Sequence, residues 1–179
     1  MGDVFIERMV KKKMESKDFL IIIGLLLAAF ILVAVSVLFL TPYTGMMIPF
    51  FVLIGVCFGG YKLISMRNLE FEYSLTNGYM TIDKIMNRQS RKRLTAFECK
   101  NIEEIGEYEK NATRLKNREV QTRLFASEYG DGQSSWYVIV NAKKTGRTLL
   151  VFDPDEDLLE AIKKFIPASL RFEVFGRNR

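Results

Sequence analysis

The sequence contains no histidine, and only two of its 179 residues are cysteine. Histidine is the most common general base near neutral pH and the most common transition-metal ligand, so its absence argues against hydrolases and metalloenzymes. The two cysteines, Cys57 and Cys99, are too few for a disulfide framework, which indicates a reducing compartment. We therefore expect no catalytic activity, no metal and no cofactor.

Charge is absent from residues 19–61, where the chain has no Asp, Glu, Lys or Arg. A helix that crosses a bilayer needs about 20 apolar residues, so this stretch is long enough for two such helices. Turn-forming residues at 41–45 divide it. The pattern predicts transmembrane helices over 19–40 and 46–65, joined by a short extracytoplasmic turn.

The basic residues that flank the apolar stretch predict its orientation. Lysines precede the first helix, Lys62 and Arg67 follow the second, and the connecting turn carries no charge. By the positive-inside rule both termini then lie in the cytoplasm. A cleavable signal peptide ending near residues 34–36 is the alternative, but it requires a shorter apolar core than this one.

The N-terminal segment, residues 1–18, combines apolar and basic side chains. Its apolar residues, at positions 4, 5, 6, 9 and 10, are spaced nearly as in a helix, and Lys11, Lys12 and Lys13 follow them. This pattern predicts a cytoplasmic amphipathic segment whose lysines contact anionic headgroups. The alternative is a solvated tail whose lysines only anchor the first span.

Three glycines in the second apolar segment, Gly55, Gly59 and Gly60, predict close helix packing. Gly55 and Gly59 have the small-xxx-small spacing, which is compatible with packing inside the hairpin and with homo-oligomers formed between hairpins.

From Leu69 onward the sequence alternates with period two, and Asn77-Gly78 predicts a tight hairpin turn. The predicted strands cover about 69–75, 79–86, 94–99, 102–109, 120–128, 135–141 and 148–152. A polar loop is predicted over 110–119, a helix over about 154–166 with Asp153 as N-cap, and a short terminal strand over 171–175. The fold class is thus a membrane α-helical hairpin followed by a mainly-β (α+β) cytoplasmic domain over 69–179.

Seven strands closed by one helix is the element order of the pleckstrin-homology (PH) superfold, a bent sandwich or barrel capped by a C-terminal helix. A generic antiparallel β domain with a packed helix is the alternative. Residues 1–13, the two spans, residues 72–78 and residues 83–85 resemble a family of uncharacterised two-span membrane proteins from clostridia and related Firmicutes. The second half also resembles bacterial PH-like domains that follow membrane helices. The resemblance implies a bacterial plasma membrane, and it implies no activity.

Phosphoinositide-binding members of the superfold hold their ligand with basic residues in a long loop between the first two strands. On the predicted strands that connection is Thr76-Asn77-Gly78, which has no Lys or Arg. This departure argues against phosphoinositide recognition.

A basic cluster, Arg88, Arg91, Lys92 and Arg93, lies between the second and third predicted strands. In an antiparallel sheet this turn lies at the same end as the start of Leu69–Leu75, which follows the second span, so the cluster is predicted to contact lipid headgroups. The alternative is a solvated charge run that pairs with Glu98, Glu103 or Glu104.

Net charge is only +5, which is weak for a nucleic-acid binder. The sequence therefore predicts a membrane-anchored binding or scaffold module that docks an unknown protein partner or anionic lipid. The alternative is a structural subunit of a larger membrane complex, assembled through the hairpin.

Overall fold

The computed structural model describes residues 3–130 and 132–176. The chain forms two compact units. Residues Met14–Asn68 form a helical hairpin, and Met1–Lys13 together with Leu69–Arg179 form a β unit. The hairpin is therefore an insertion within the β unit, and the predicted β domain over 69–179 is incomplete without the N-terminal residues.

The hairpin consists of α1 (Ser16–Thr44) and α2 (Met47–Ser65). Their most apolar 18-residue stretches have mean hydropathies of 3.1 and 1.9, and both helices are long and apolar enough to cross a membrane. The predicted turn at 41–45 is wrong, because α1 continues through Pro42 and the chain reverses at Gly45, whose φ is 59°. Proline is accepted there because it lies in the last turn of the helix, where it removes one backbone hydrogen bond.

An ion pair joins the start of α1 to the end of the hairpin. Arg67 Nη1 lies 3.0 Å from Asp18 Oδ1, and the Asp18 side chain is only 15% exposed. Asp18 also forms a capping box with Glu15, so one carboxylate both caps α1 and pairs across the hairpin. We infer that this pair fixes the register of the two helices at their charged ends.

The first sheet (sheet 1) contains four antiparallel strands in the order β1-β2-β3-β4. They are β1 (Phe5–Lys11), β2 (Leu69–Thr76), β3 (Tyr79–Met86) and β4 (Ser90–Glu98). Asn77 and Gly78 join β2 to β3 with φ values of 49° and 82°, as their sequence predicts. Asn87 and Arg88 make a similar turn between β3 and β4, with φ values of 49° and 55°.

Strand β1 replaces the predicted amphipathic segment, and that prediction is wrong. It pairs with β2 over seven positions, from Phe5 opposite Thr76 to Lys11 opposite Glu70. Ile6 and Val10 pack against the core, whereas Phe5 and Met9 are exposed. The four-residue spacing of Ile6 and Val10 suits one face of a strand as well as one face of a helix, and the pairing with β2 decides between them.

Polar contacts also attach the N-terminal residues to the β unit. The Val4 N–H donates to Asn77 Oδ1 at 2.9 Å, and the Asn77 N–H donates to the Val4 carbonyl at 2.9 Å. Arg8 pairs with Asp155 and Asp157, and its Nη2 lies 2.6 Å from the Asp157 carboxylate.

The second sheet (sheet 2) has the order β5-β7-β8-β6, with β6 parallel to β8. A single 3₁₀ turn, Cys99–Asn101, joins the sheets. The strands are β5 (Ile102–Glu107), β6 (Thr122–Ala126), β7 (Trp136–Ala142) and β8 (Gly146–Phe152). The described residues thus contain eight strands in two sheets, of which β1 was not foreseen.

Three helices complete the β unit: α3 (Tyr108–Lys116), α4 (Glu156–Phe165) and α5 (Ala168–Phe175). The loop predicted over 110–119 is largely α3, and the strand predicted over 171–175 is part of α5. Both segments are short, and α3 buries only Tyr108 and Leu115, so their apolar periodicity is weak.

The N-cap of α4 is Asp155 and not Asp153. Asp155 Oδ1 accepts the Leu158 N–H at 3.0 Å, as an N-cap side chain does. Asp153 Oδ2 instead accepts the Glu128 N–H at 2.5 Å. The predicted helix over 154–166 is otherwise close to α4.

The main core lies between the sheets and under α4. Its fully buried members include Tyr73, Leu75, Ile82, Val138, Leu150, Phe152, Leu158 and Ile162. Cys99 belongs to this core, and burial raises the pKa of its thiol to about 12. A second cluster packs α3 against the other face of sheet 2 through Tyr108, Leu115, Tyr137, Ile139, Leu149 and Val151.

We expect charge to be tolerated on one face of β1 and not on the other. Lysine at Ile6 and Val10 should cost about 2 kcal/mol or more, because it places a charge against the core. Lysine at Phe5 and Met9, the matched exposed pair, should change stability little. Thermal unfolding in detergent, followed by the fluorescence of Trp136, measures both double variants.

An amphipathic helix predicts a different result. Positions 5, 6, 9 and 10 would then share one apolar face, and the two double variants would have similar unfolding temperatures. Equal destabilisation would contradict the strand.

Candidate functional site

One end of sheet 1 collects basic side chains. Strand β1 ends there, β2 begins there, and the turn between β3 and β4 lies beside them, since Lys11 is opposite Glu70 and Leu69 is opposite Met86. We call this region the basic end, and it comprises Lys11, Lys12, Lys13, Lys84, Arg88, Arg91, Lys92 and Arg93. The structure thus brings together all seven predicted headgroup residues.

Lys84 is the member of the basic end that the sequence prediction missed. It lies directly opposite Lys92 in the pairing of β3 with β4. The signal was present in the turn at 87–89, because counting outward from that turn places the two lysines across from each other.

The three arginines of the basic end pair with carboxylates of β2 and β3. Arg88 Nε lies 3.3 Å from Glu70 Oε1, and Arg91 pairs with Glu72. Arg93 makes a bidentate pair with Asp83, with distances of 2.8 and 3.1 Å. These contacts are charge-assisted hydrogen bonds. The Arg93–Asp83 pair joins the neighbouring strands β4 and β3, whereas Arg91 reaches from β4 across β3 to Glu72 of β2.

The glutamates that the sequence suggested as partners of the basic cluster form ion pairs with other residues. Glu98 pairs with Lys100, Glu103 with Arg147, and Glu104 with Arg114. The alternative in which the basic cluster pairs with Glu98, Glu103 or Glu104 is therefore wrong about the partners.

The arginines and their partners differ sharply in burial. Glu70 and Glu72 are each 5% exposed and Asp83 is 2% exposed, although all three lie on the outer face of the sheet. The side chains of Arg91 and Arg93 are more than half exposed and that of Arg88 is 79% exposed. Each guanidinium therefore covers a carboxylate and still presents donors to solvent.

Burial dominates the electrostatics of Glu72. It raises the pKa of this carboxyl, Arg91 opposes the shift most, and Glu7 and Asp83 add to it. The hydrogen bond to Asp83 raises the pKa of Arg93. At Glu70, Oε2 is buried and has no hydrogen-bond partner within the described residues.

The lysines of the basic end are less completely paired. Lys13 Nζ lies 2.8 Å from Glu128 Oε1 and donates to the Tyr129 hydroxyl at 2.7 Å. Lys11 and Lys92 are exposed, and within residues 3–130 and 132–176 neither forms an ion pair. The basic end contains eight basic residues and four acidic ones, so its net charge is +4. The acidic residues are Glu70, Glu72, Asp83 and Glu128.

Thr76-Asn77-Gly78 does not connect the first two strands, so its lack of Lys and Arg does not argue against phosphoinositide recognition. The first two strands of sheet 1 are β1 and β2, so the connection between them is residues 12–68 and not Thr76-Asn77-Gly78. That connection begins with Lys12 and Lys13, which belong to the basic end.

A second concave region is a groove of about 860 Å³ bordered by β5, α3 and α5. The Tyr137 hydroxyl donates to Glu104 at 2.7 Å and accepts a hydrogen bond from Arg114 at 2.8 Å. Trp136 stacks on Phe175 with ring centroids 5.7 Å apart. Because these side chains contact one another, we interpret the groove as part of the packing at the edge of sheet 2.

Within the described part of the chain, no group of three or more carboxylate or thiol side chains could hold a metal ion. The acidic residues at the start of α4 have other roles, because Asp155 caps the helix and Asp157 pairs with Arg8.

The three glycines of α2 differ in their surroundings. A Cβ at Gly60 would lie 4.0 Å from Leu25 Cδ2 of α1, whereas a Cβ at Gly55 or Gly59 would have no neighbour within 4 Å. Within the hairpin only Gly60 therefore faces α1, and the Gly55–Gly59 face is open.

Comparison with known proteins found one family. A family model described as a bacterial PH-like domain (DUF6106) matches residues 2–172, a range that includes β1, both apolar helices and α4. Searches of curated proteins and of solved structures found no match. The matched range begins at residue 2 and therefore does not confirm that the PH-like region lies C-terminal to the apolar helices. The chain belongs to the bacterial PH-like domain family (DUF6106).

Proposed function

We propose that this protein is a membrane-anchored binding module whose β unit docks on anionic lipid headgroups through its basic end. The observation that carries the proposal is the net charge of +4 at the end of sheet 1 from which both connections to the apolar hairpin leave. PH-like domains are in general binding modules and not catalysts, and that agrees with the family match.

Chain length supports this assignment. Four residues connect Lys11 to α1, and three connect α2 to β2. Connections this short span at most about 14 Å of extended chain. Each basic residue near an anionic surface contributes about 1 kcal/mol, and tethering makes even a weak attraction effective.

Strand pairing also supports a topology for the hairpin. β1 precedes α1 and β2 follows α2, and the two strands are hydrogen-bonded neighbours. Because the two strands must lie on the same side of the membrane to pair, the segment between them must cross the membrane an even number of times. With the flanking lysines and arginines, this favours a bacterial plasma membrane with both termini in the cytoplasm.

Reporters at the two termini test the topology. Green fluorescent protein and alkaline phosphatase, fused in turn to each end, should give fluorescence and no phosphatase activity at both ends, because both lie in the cytoplasm. Phosphatase activity at either terminus would contradict the proposed orientation.

Neutral substitutions of unpaired lysines test lipid docking. A donor dye at Gln89→Cys, in a Cys57→Ser background, reports transfer to headgroup-labelled lipid in nanodiscs. Cys99 is buried and remains unlabelled. With about 30% phosphatidylglycerol, the ratio of docked to undocked protein should fall about tenfold in the Lys11→Gln/Lys92→Gln variant.

The matched control is Lys116→Gln/Lys144→Gln, which removes two exposed lysines far along the chain from the basic end. It should dock like the wild type. Equal transfer in neutral and anionic nanodiscs would contradict lipid docking, and it would leave a protein as the partner of the module.

A second candidate, a structural subunit of a membrane complex, is favoured by the open Gly55–Gly59 face. Glycines at this spacing allow close approach of another helix. Gly55→Leu/Gly59→Leu should then lower the oligomeric state measured by light scattering in detergent, and it should leave the hairpin folded. Gly24→Leu, at another glycine with no neighbour within 4 Å, is the control. Identical mass for all three proteins would contradict assembly through this face.

A further inference from the structure

Strand β1 forms one edge of sheet 1, and within the described residues no strand lies on its outer side. An unpaired edge presents a row of backbone N–H and C=O groups that can pair with another chain. Proteins often block such an edge with a proline or a β-bulge. The seven residues of β1 include no proline, and they pair with β2 without a shift of register. The edge can therefore accept a further strand.

The pairing with β2 identifies the backbone groups of β1 that are free. Lys12 donates its N–H to the Leu69 carbonyl at 2.9 Å, so this pair is hydrogen-bonded. Bonded and non-bonded positions alternate along an antiparallel pair, so the even-numbered residues of β1 bond to β2. The N–H and C=O groups of Phe5, Glu7 and Met9 point the other way, and none of them has a hydrogen-bond partner among residues 3–130 and 132–176.

Helix α4 forms the second wall of a groove along this edge, which we call the β1–α4 groove. Its volume is about 470 Å³. It is lined by residues 4–8 and, on α4, by Asp157, Glu160, Ala161 and Lys164. Arg8 holds the two walls together, because its side chain pairs with Asp155 and Asp157. An extended chain in this groove bonds to the free backbone groups of β1 and places every second side chain beside α4.

The outer face of β1 is apolar beside the groove. Phe5 and Met9 lie on this face, and they are 64% and 59% exposed. Side chains of an added strand would be their direct neighbours, since cross-strand pairs on one face lie in contact. Apolar side chains on that face of the added strand are therefore favoured, because they cover Phe5 and Met9.

The surroundings of the groove are acidic, in contrast to the basic end. Four carboxylates and two basic side chains give a net charge of −2. These residues are Glu7, Asp155, Asp157, Glu160, Arg8 and Lys164. Arg8 is already paired, whereas Glu7 and Glu160 form no ion pair within the described part of the chain. Charge complementarity therefore favours a partner that carries lysine or arginine.

The same charge disfavours a second copy of the chain as the occupant. In a symmetric dimer that pairs β1 with its copy, the two grooves would lie side by side, each with a net charge of −2. Like charges at an interface are repulsive. A basic segment of another protein carries no such charge to the edge.

We propose that the β1–α4 groove binds an extended segment of another protein in which apolar residues alternate with lysine or arginine. The segment adds a fifth strand to sheet 1 through backbone hydrogen bonds to Phe5, Glu7 and Met9. Its apolar side chains contact the outer face of β1, and its basic side chains face Glu160. The inference is independent of lipid docking, because residues 4–8 lie at the other end of β1 from Lys11.

The test measures binding of a fluorescein-labelled octapeptide of alternating lysine and valine to the full chain in uncharged detergent, by fluorescence anisotropy. Two matched octapeptides serve as controls. One has glutamate in place of lysine, and it should bind at least about tenfold more weakly because its charge is repelled. The other has every backbone amide N-methylated, and it should bind at least about tenfold more weakly because it cannot donate backbone hydrogen bonds.

Glu7→Pro tests the backbone hydrogen bonds. Proline removes the free N–H at position 7 and leaves the bonds of the even-numbered residues to β2 in place. It should weaken binding of the lysine–valine octapeptide about fivefold relative to Glu7→Ala, which removes the same carboxylate and keeps the N–H. Glu160→Gln should weaken binding about threefold. Glu109→Gln, at an exposed carboxylate of α3, should have no effect.

Amide hydrogen exchange of the wild type locates the bound peptide without relying on a variant that must fold. With saturating lysine–valine octapeptide, the N–H groups of Phe5, Glu7 and Met9 should exchange at least about tenfold more slowly. The N–H of Lys144, in the turn between β7 and β8, should exchange as before.

Three results would overturn the proposal. The first is equal affinity of Glu7→Pro and Glu7→Ala together with unchanged exchange at Phe5, Glu7 and Met9, which would exclude strand addition. The second is equal affinity for the lysine and glutamate octapeptides, which would exclude a basic partner. The third is a dimer, measured by light scattering, that Glu7→Pro dissociates and Glu7→Ala does not, since a second copy would then occupy the edge. None of these results bears on docking of the basic end to lipid.

Discussion

The rest of the structure depends on the backbone pairing of β1 with β2. Seven residue pairs, from Phe5–Thr76 to Lys11–Glu70, join chain segments separated by residues 12–68. Closing so long a loop costs conformational entropy, although the cost grows only slowly with length. Packing of α1 against α2 holds the two ends of that loop near each other. The β1–β2 ladder therefore defines sheet 1 and its basic end, and it places the two ends of the inserted segment side by side.

The elements that were predictable from sequence are those with strong local signals. The uncharged stretch 19–61 predicts two apolar helices, and Asn77-Gly78 predicts its hairpin, because composition or turn chemistry decides each locally. β1 was not predictable in this way. Its short apolar pattern fits two periods, and its partner strand lies beyond both helices. α3 was missed since its helical periodicity is weak, with only two buried residues.

The sequence predicted most residues of the candidate site, but it did not predict the ion pairs that they form. The charges of Arg88–Arg93 are evident in the sequence, and the alternation of Glu70 and Glu72 with Phe71 predicts an outward, solvated face. Arginines from β4 and from the turn before it cover that face, and they are too distant in sequence for their register to be foreseen. A β-bulge near Asp83 further shifts the register, which pairs it with Arg93.

The position of the hairpin in the chain makes the two apolar helices separable from the strand topology of the β unit. Lys11 and Glu70 are direct antiparallel partners, so the strands that flank the insertion end side by side. Two such strands can be joined by a turn of two residues. A two-residue turn in place of the hairpin is therefore compatible with the strand order of both sheets. Gain or loss of the apolar helices in evolution therefore requires no change of topology in the sheets.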